Sequence, residues 1–154
     1  LFHTTVNVYD DRLLAWSPNS KQFLLLSNRG VEGAEGVYDV YVMGSRGVGI
    51  ARFTQGGHGV AAAWSPDSSK VVYSDSSPES AGMYIVYKNG TGKTPLRCNC
   101  HSIVGDALSW SPDGRWIAFT DPSTPGLFVV KTDSSRCTQI AAEPLSNPLF
   151  RPIR

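Results

Sequence analysis

Apolar residues along this chain fall in short continuous runs, and the same run recurs three times behind the same phrase. The first copy reads Ala15-Trp16-Ser17-Pro18-Asn19-Ser20-Lys21 and continues into Phe23-Leu24-Leu25-Leu26 and Ser27-Asn28. The second reads Ala63-Trp64-Ser65-Pro66-Asp67-Ser68 and continues into Lys70-Val71-Val72-Tyr73-Ser74-Asp75. The third reads Ser109-Trp110-Ser111-Pro112-Asp113-Gly114-Arg115 and continues into Trp116-Ile117-Ala118-Phe119-Thr120-Asp121. The Trp-to-Trp spacings are 48 and then 46 residues. That period belongs to four-strand propeller blades and is too long for helical repeats of roughly 33 or 34 residues.

Each copy goes on in the same way. A second apolar strand is predicted over Val37 to Met43, Met83 to Tyr87 and Leu127 to Val130. A turn follows at Gly44-Ser45-Arg46-Gly47, Asn89-Gly90-Thr91-Gly92 or Thr132-Asp133-Ser134-Ser135. Asn-Gly between two β-rich runs is a strong hairpin signal, because both central positions tolerate positive φ. A weaker outer strand is then predicted around Ile50 to Thr54, Thr94 to Cys98 and Cys137 to Ala141. The unit is four short antiparallel strands, placing blades over about 9–54, 59–98 and 105–141. Thr4 to Val8 reads as the last strand of a preceding blade. Residues 147–154 read as the start of a further one, with Phe150 in the tryptophan place.

Runs such as Tyr84-Ile85-Val86-Tyr87 lack polar alternation, which is the mark of strands buried on both faces. The strand entering the second phrase, Gly59-Val60-Ala61-Ala62-Ala63, is small and apolar and suits a crowded centre. Gly, Pro, Asn and Asp punctuate the chain too often for helices of ten or more residues. The expectation is an all-β fold, a partial β-propeller of about three blades with flanking strands of adjacent blades.

The Trp-Ser-Pro-Asp-Gly phrase, the Ile/Val-Ala/Val-Phe/Tyr-Ser/Thr strand after it and the later Tyr-Ile-Val or Phe-Val-Val strand resemble the TolB-like β-propeller repeat. The resemblance runs from about Leu13 to Pro152; the third copy matches best, and the first has Asn19-Ser20 where the family has Asp-Gly. It implies a six-bladed ring. Members of such a family stand alone as periplasmic binding proteins or precede a serine peptidase domain, so the resemblance also implies a periplasmic or extracellular setting.

A length of 154 residues alone predicts one complete domain, but read through the period it supplies about half a ring. An open arc leaves two apolar blade faces uncovered, which soluble monomers rarely show. Three explanations follow: a fragment of a larger chain, a homo-oligomer in which a second copy completes the propeller, or completion by other protein chains. Leu1 to Tyr9 lacks the basic start and apolar core of a secretion signal, so the chain reads as mature, trimmed or a piece of something longer.

The 15 glycines and 10 prolines, about 16% of the chain, are the turns of the blades. With 14 Lys and Arg against 13 Asp and Glu, there is no electrostatic case for nucleic acid. Apolar runs of about five residues are far short of a membrane helix, so no membrane insertion is expected.

Candidate chemistry is sparse. No Gly-x-Ser-x-Gly elbow is present, and no catalytic residues are assigned. His58 and His101 fall on blade-to-blade connections that gather on one face of a ring; His3 lies outside the blades. Asp75 and Asp121 end equivalent strands, with Asn28 in the same place in the first copy. A repeated polar residue of this kind fits the capping of a loop through backbone hydrogen bonds. His58, Asp75, His101 and Asp121 are nonetheless the candidate binding residues of the loop face, with Glu32, Glu35, Glu79 and Asp106 nearby in the loops. Trp16, Trp64 and Trp110 recur with the period, so they read as packing between blades.

Cys98-Asn99-Cys100-His101 invites a zinc or copper reading, but a closed zinc site needs four ligands and the spacing is not that of haem attachment. Unreactive thiols or one disulfide explain it as well; a Cys98–Cys137 bridge requires Cα atoms within roughly 7 Å. Asn89-Gly90-Thr91 matches a glycosylation acceptor, though the hairpin needs the same Asn-Gly. The stretch Gly30 to Gly36 lacks the helix and Lys-Ser or Lys-Thr ending of a phosphate cradle. No metal and no cofactor are expected. The chain is expected to be a non-enzymatic scaffold for protein binding or assembly. The alternatives are part of the propeller domain of a larger serine hydrolase of prolyl oligopeptidase type, or a propeller that binds metal or a small ligand.

Overall fold

The structure is a computed structural model that describes residues 9–31, 36–98 and 104–141. Twelve strands form among them: β1 (Asp11–Trp16), β2 (Gln22–Ser27), β3 (Asp39–Gly44), β4 (Ala51–Arg52), β5 (Gly59–Trp64), β6 (Lys70–Asp75), β7 (Gly82–Tyr87), β8 (Thr94–Leu96), β9 (Ala107–Trp110), β10 (Trp116–Asp121), β11 (Thr124–Lys131) and β12 (Cys137–Ala141). They make three antiparallel four-stranded sheets in simple meander order, β1-β2-β3-β4, β5-β6-β7-β8 and β9-β10-β11-β12. Each sheet is one blade. The segments read from the sequence as strands of adjacent blades, Thr4 to Val8 and 147–154, lie outside the described residues.

The turn behind each tryptophan explains why the phrase repeats. In the second blade the Ser65 hydroxyl donates to Asp67 at 2.6 Å and accepts the Lys70 amide at 2.9 Å, while Asp67 also accepts the Ser69 amide at 3.0 Å. Ser111 and Asp113 repeat this with the Arg115 and Trp116 amides. Ser17 and Asn19 repeat it with Lys21 and Gln22. Asparagine in the first copy thus keeps the geometry through its side-chain oxygen. The residue after the Asp or Asn is left-handed in all three, φ 59° at Ser20, 60° at Ser68 and 71° at Gly114, which only glycine adopts freely.

Packing follows the strand period of two. On β6, Val71 and Tyr73 point to the first blade, where they meet Leu24, Val40 and Val42, with Trp64 and Val86 of their own sheet beside them. Val72, between them, points to the third blade and packs with Met83, Ile85, Leu96, Ile117, Phe119, Phe128 and Val130. The continuous apolar run is therefore two alternating faces, each covered by a neighbour, and both cores lie between blades.

Strand register corrects one equivalence. Phe23, Val71 and Ile117 pair with Trp16, Trp64 and Trp110, so the counterpart of Asp75 and Asp121 is Ser27, with Asn28 one residue beyond. The hydrogen bonds agree: Ser27 Oγ accepts the Arg29 amide, Asp75 the Ser77 amide and Asp121 the Ser123 amide, each two residues on. All three side chains are buried.

Candidate functional site

The loop face between the first two blades is built from the connection after β4 and the loop after β6. Asp39, fully buried at the start of β3, accepts from Thr54 Oγ1 at 2.7 Å, from the Gly57 amide at 3.2 Å and from the Arg52 guanidinium. Thr54 Oγ1 in turn accepts the Val40 amide. This knot, with the bridge between Tyr38 and His58, carries the chain from one blade into the next and fixes where His58 stands.

His58 and Asp75 line one cleft of about 610 Å³ together with Gln55, Glu79, Ser80 and Lys93. Gly59 pairs with Asp75 across β5 and β6, which is why the two candidates meet. Asp75 accepts from the Ser77 amide at 2.9 Å and from Ser80 Oγ at 3.5 Å, so its carboxylate holds the cleft's own loop in place. Lys93 Nζ lies 3.9 Å from the centre of the Tyr84 ring, in an aromatic stack of Phe53, Tyr73 and Tyr84. Burial, then the nearby Asp75 and Tyr84, push the Tyr73 phenol well above the usual tyrosine value, so it stays protonated. Asp121 stands in the third blade, apart from this cleft, and His101 lies outside the described residues. Among the described residues no three His, Cys, Asp or Glu side chains gather as a metal ion would require. No helix among them is long and apolar enough to cross a membrane.

Asp39, Arg52 and Lys93 were not singled out from the sequence. One signal was present: Asp39 interrupts the apolar run Tyr38 to Val42 and must find a partner there.

The cysteine segment resolves into a staple. Cys98, just beyond β8, and Cys137, opening β12, form a disulfide with Cα atoms 5.2 Å apart. It ties the outer rims of the second and third blades. Cys100 lies outside the described residues. Asn89 is exposed in its hairpin turn, its side-chain oxygen accepting from the Thr91 amide and hydroxyl.

The outer face of the first blade differs from the faces between blades. Trp64 is 7% exposed in the core between the first two blades, and Trp110 packs against the core between the second and third. Trp16, at the same register position of the first blade, is 53% exposed and touches Phe23 edge-on at 5.5 Å. Leu13, which pairs with Leu25 on that face, is 62% exposed. Its counterparts Ala62 and Leu108 pack against the inner cores.

No protein-family model matches the chain, and no curated protein matches it in sequence. Solved structures do match. TolB from Agrobacterium tumefaciens, described as putative, aligns with a TM-score of 0.66 at 20% identity over 88% of this chain and 50% of its own. Oligogalacturonate lyase from Vibrio parahaemolyticus aligns with a TM-score of 0.64 at 12% identity, over 94% of this chain and 45% of its own. Puromycin hydrolase aligns with a TM-score of 0.60 at 14% identity, over 94% of this chain and 24% of its own. The chain thus spans about half the length of the first two. These likenesses show the fold, a partial β-propeller of the TolB-like kind.

Proposed function

We propose that this chain is a non-enzymatic propeller scaffold that binds protein through its exposed blade faces. The observation that supports this is the contrast between Trp16 and its two counterparts: one repeated side chain is sheltered twice by a neighbouring blade and left in water once. Burying a tryptophan face of this kind is worth several kcal/mol, on the order of 25 cal/mol per Å² of apolar area, so a complementary surface gains much by covering it. The setting is an oxidising one, periplasmic or extracellular. The Cys98–Cys137 bridge supports that, since disulfides persist there and are rare in reducing compartments. The partner is protein, with no role for nucleic acid.

The test is a photo-crosslinking residue, p-benzoylphenylalanine, in place of Trp16, with the same residue at exposed Lys88 as control. Polypeptide adducts formed through position 16 and not through position 88 are expected. Absence of any adduct at position 16 would overturn the reading. A second reading, supported by the likeness to puromycin hydrolase, makes the chain part of the propeller domain of a larger serine hydrolase, where it positions or admits substrate. An α/β-hydrolase domain in the same polypeptide, with peptidase activity that changes on substitution of Trp16, would favour that reading over the scaffold.

A further inference from the structure

At one end of the blades each sheet carries two turns side by side, the Ser-Pro turn between its first two strands and the hairpin turn between its last two. Backbone hydrogen bonds from Ser45 to Lys21, Lys88 to Ser69 and Thr132 to Arg115 hold these pairs together. Neighbouring blades meet differently at this end. The first and second are latched, the Asn19 amide donating to Ser68 Oγ at 3.0 Å. The third blade has Gly114 where the second has Ser68, so the Asp67 amide, in the place of the Asn19 amide, has no hydroxyl to reach there. A groove of about 670 Å³ opens between the second and third blades instead, in the size range of ligand sites.

The lining of this groove is apolar and acidic together. Ile85 and Trp110 supply apolar surface, and the buried Trp110 Nε1–H has no acceptor among the described residues. Around them stand three carboxylates, Asp67, Asp113 and Asp133, against one ammonium, Lys70, whose Nζ lies 5.3 Å from the centre of the Tyr87 ring. Asp113 meets Arg115 only at 4.0 Å, between exposed side chains.

This acidity is more than the turns need. Asn19 holds the first Ser-Pro turn with the same hydrogen bonds that Asp67 and Asp113 make in theirs. Asn89 accepts the Thr91 amide in the second hairpin turn as Asp133 accepts the Ser135 amide in the third. Where the first and second blades meet, strand register makes the corresponding set Asn19, Asp67 and Asn89, one carboxylate instead of three.

We propose that this groove binds an arginine-bearing segment of a protein partner, the aliphatic stem lying along Ile85 and Trp110 and the guanidinium among Asp67, Asp113 and Asp133. Guanidinium is the cation suited to several carboxylates at once, because its N–H donors form a rigid planar fork. The chain carries a formal charge of +1, so no general attraction draws a basic peptide to it, and the attraction is local to the groove. The site lies between the second and third blades and does not involve Trp16.

The test is fluorescence anisotropy of a short rhodamine-labelled peptide of alternating glycine and arginine, titrated with the 154-residue chain, beside the same peptide with citrulline in place of arginine. Saturable binding of the arginine peptide and none of the citrulline peptide is expected. The double variant Asp113→Asn/Asp133→Asn is expected to bind about tenfold more weakly, the loss of two partly exposed ion pairs. Its circular dichroism should be unchanged, because Asn19 and Asn89 hold the same turns. Gly114→Ser is expected to weaken binding with no change of charge, by supplying the hydroxyl that latches the Asp67 amide. Serine fits there, since Ser20 and Ser68 hold the same left-handed backbone and a Cβ at Gly114 would meet only Pro66, at 3.7 Å and beyond. Asp11→Asn, which removes a carboxylate from the first blade, is expected to leave binding unchanged. No saturable binding, equal binding of the citrulline peptide, or binding indifferent to both groove variants would each overturn the proposal. A loss with Asp11→Asn as large as that of the double variant would overturn it too, by showing a diffuse effect of charge.

Discussion

Asp67 shows how one side chain holds the repeated turn. Its carboxylate accepts from the Ser65 hydroxyl, the Ser69 hydroxyl and the Ser69 amide, and these bonds, the Ser65 one foremost, lower its pKa from 3.8 to about 2. Asp113 is lowered for the same reason, with Ser111 first. A carboxyl depressed in the folded state stabilises the fold above its unfolded pKa, and that contribution is lost as pH falls through the folded one. Stability is therefore expected to drop between about pH 4 and pH 2, and Asp67→Asn should flatten that slope in acid titrations followed by circular dichroism. The group is solvent-exposed, so the effect is modest, on the order of 1 kcal/mol or less. Arg52 is the costlier residue. Arg52→Ala strands the buried Asp39 carboxylate and is expected to destabilise by about 3 kcal/mol in urea unfolding, more than Arg52→Lys. The turn was legible from the Ser-Pro-Asp spacing. The Asp39 knot was not, because its partners come from a different strand and a loop, and only the fold brings them together.

At the scale of the element, the blade interface carries the stability. Trp64→Ala removes the largest side chain of the core between the first two blades and is expected to cost about 3–5 kcal/mol. Trp16→Ala is expected to cost under about 1 kcal/mol, as exposed positions do. Paired urea titrations separate identical residues by what covers them. The Cys98–Cys137 bridge closes a loop with a sequence separation of 39, for which chain entropy gives about 4 kcal/mol. Cys137→Ser should lose most of that, with faster hydrogen exchange in β12 than in β10. Strand order and the blade period were readable because each copy repeats the same four runs. The pairing of Cys98 with Cys137 stayed open in the sequence because it depends on how closely two outer strands approach, and spacing says nothing of that.

At the scale of the whole molecule, the described residues form three blades stacked in register. Between the blades apolar faces meet apolar faces, while Trp16, Leu13 and Ile140 are exposed. The sequence showed three copies of one unit. It did not show which residues stay exposed, since Trp16 reads the same as Trp64 until a neighbour covers one of them. The most direct measurement is photo-crosslinking from p-benzoylphenylalanine at position 16. The account predicts polypeptide adducts through position 16 and none through the same residue at exposed Lys88. The absence of any adduct at position 16 would contradict it.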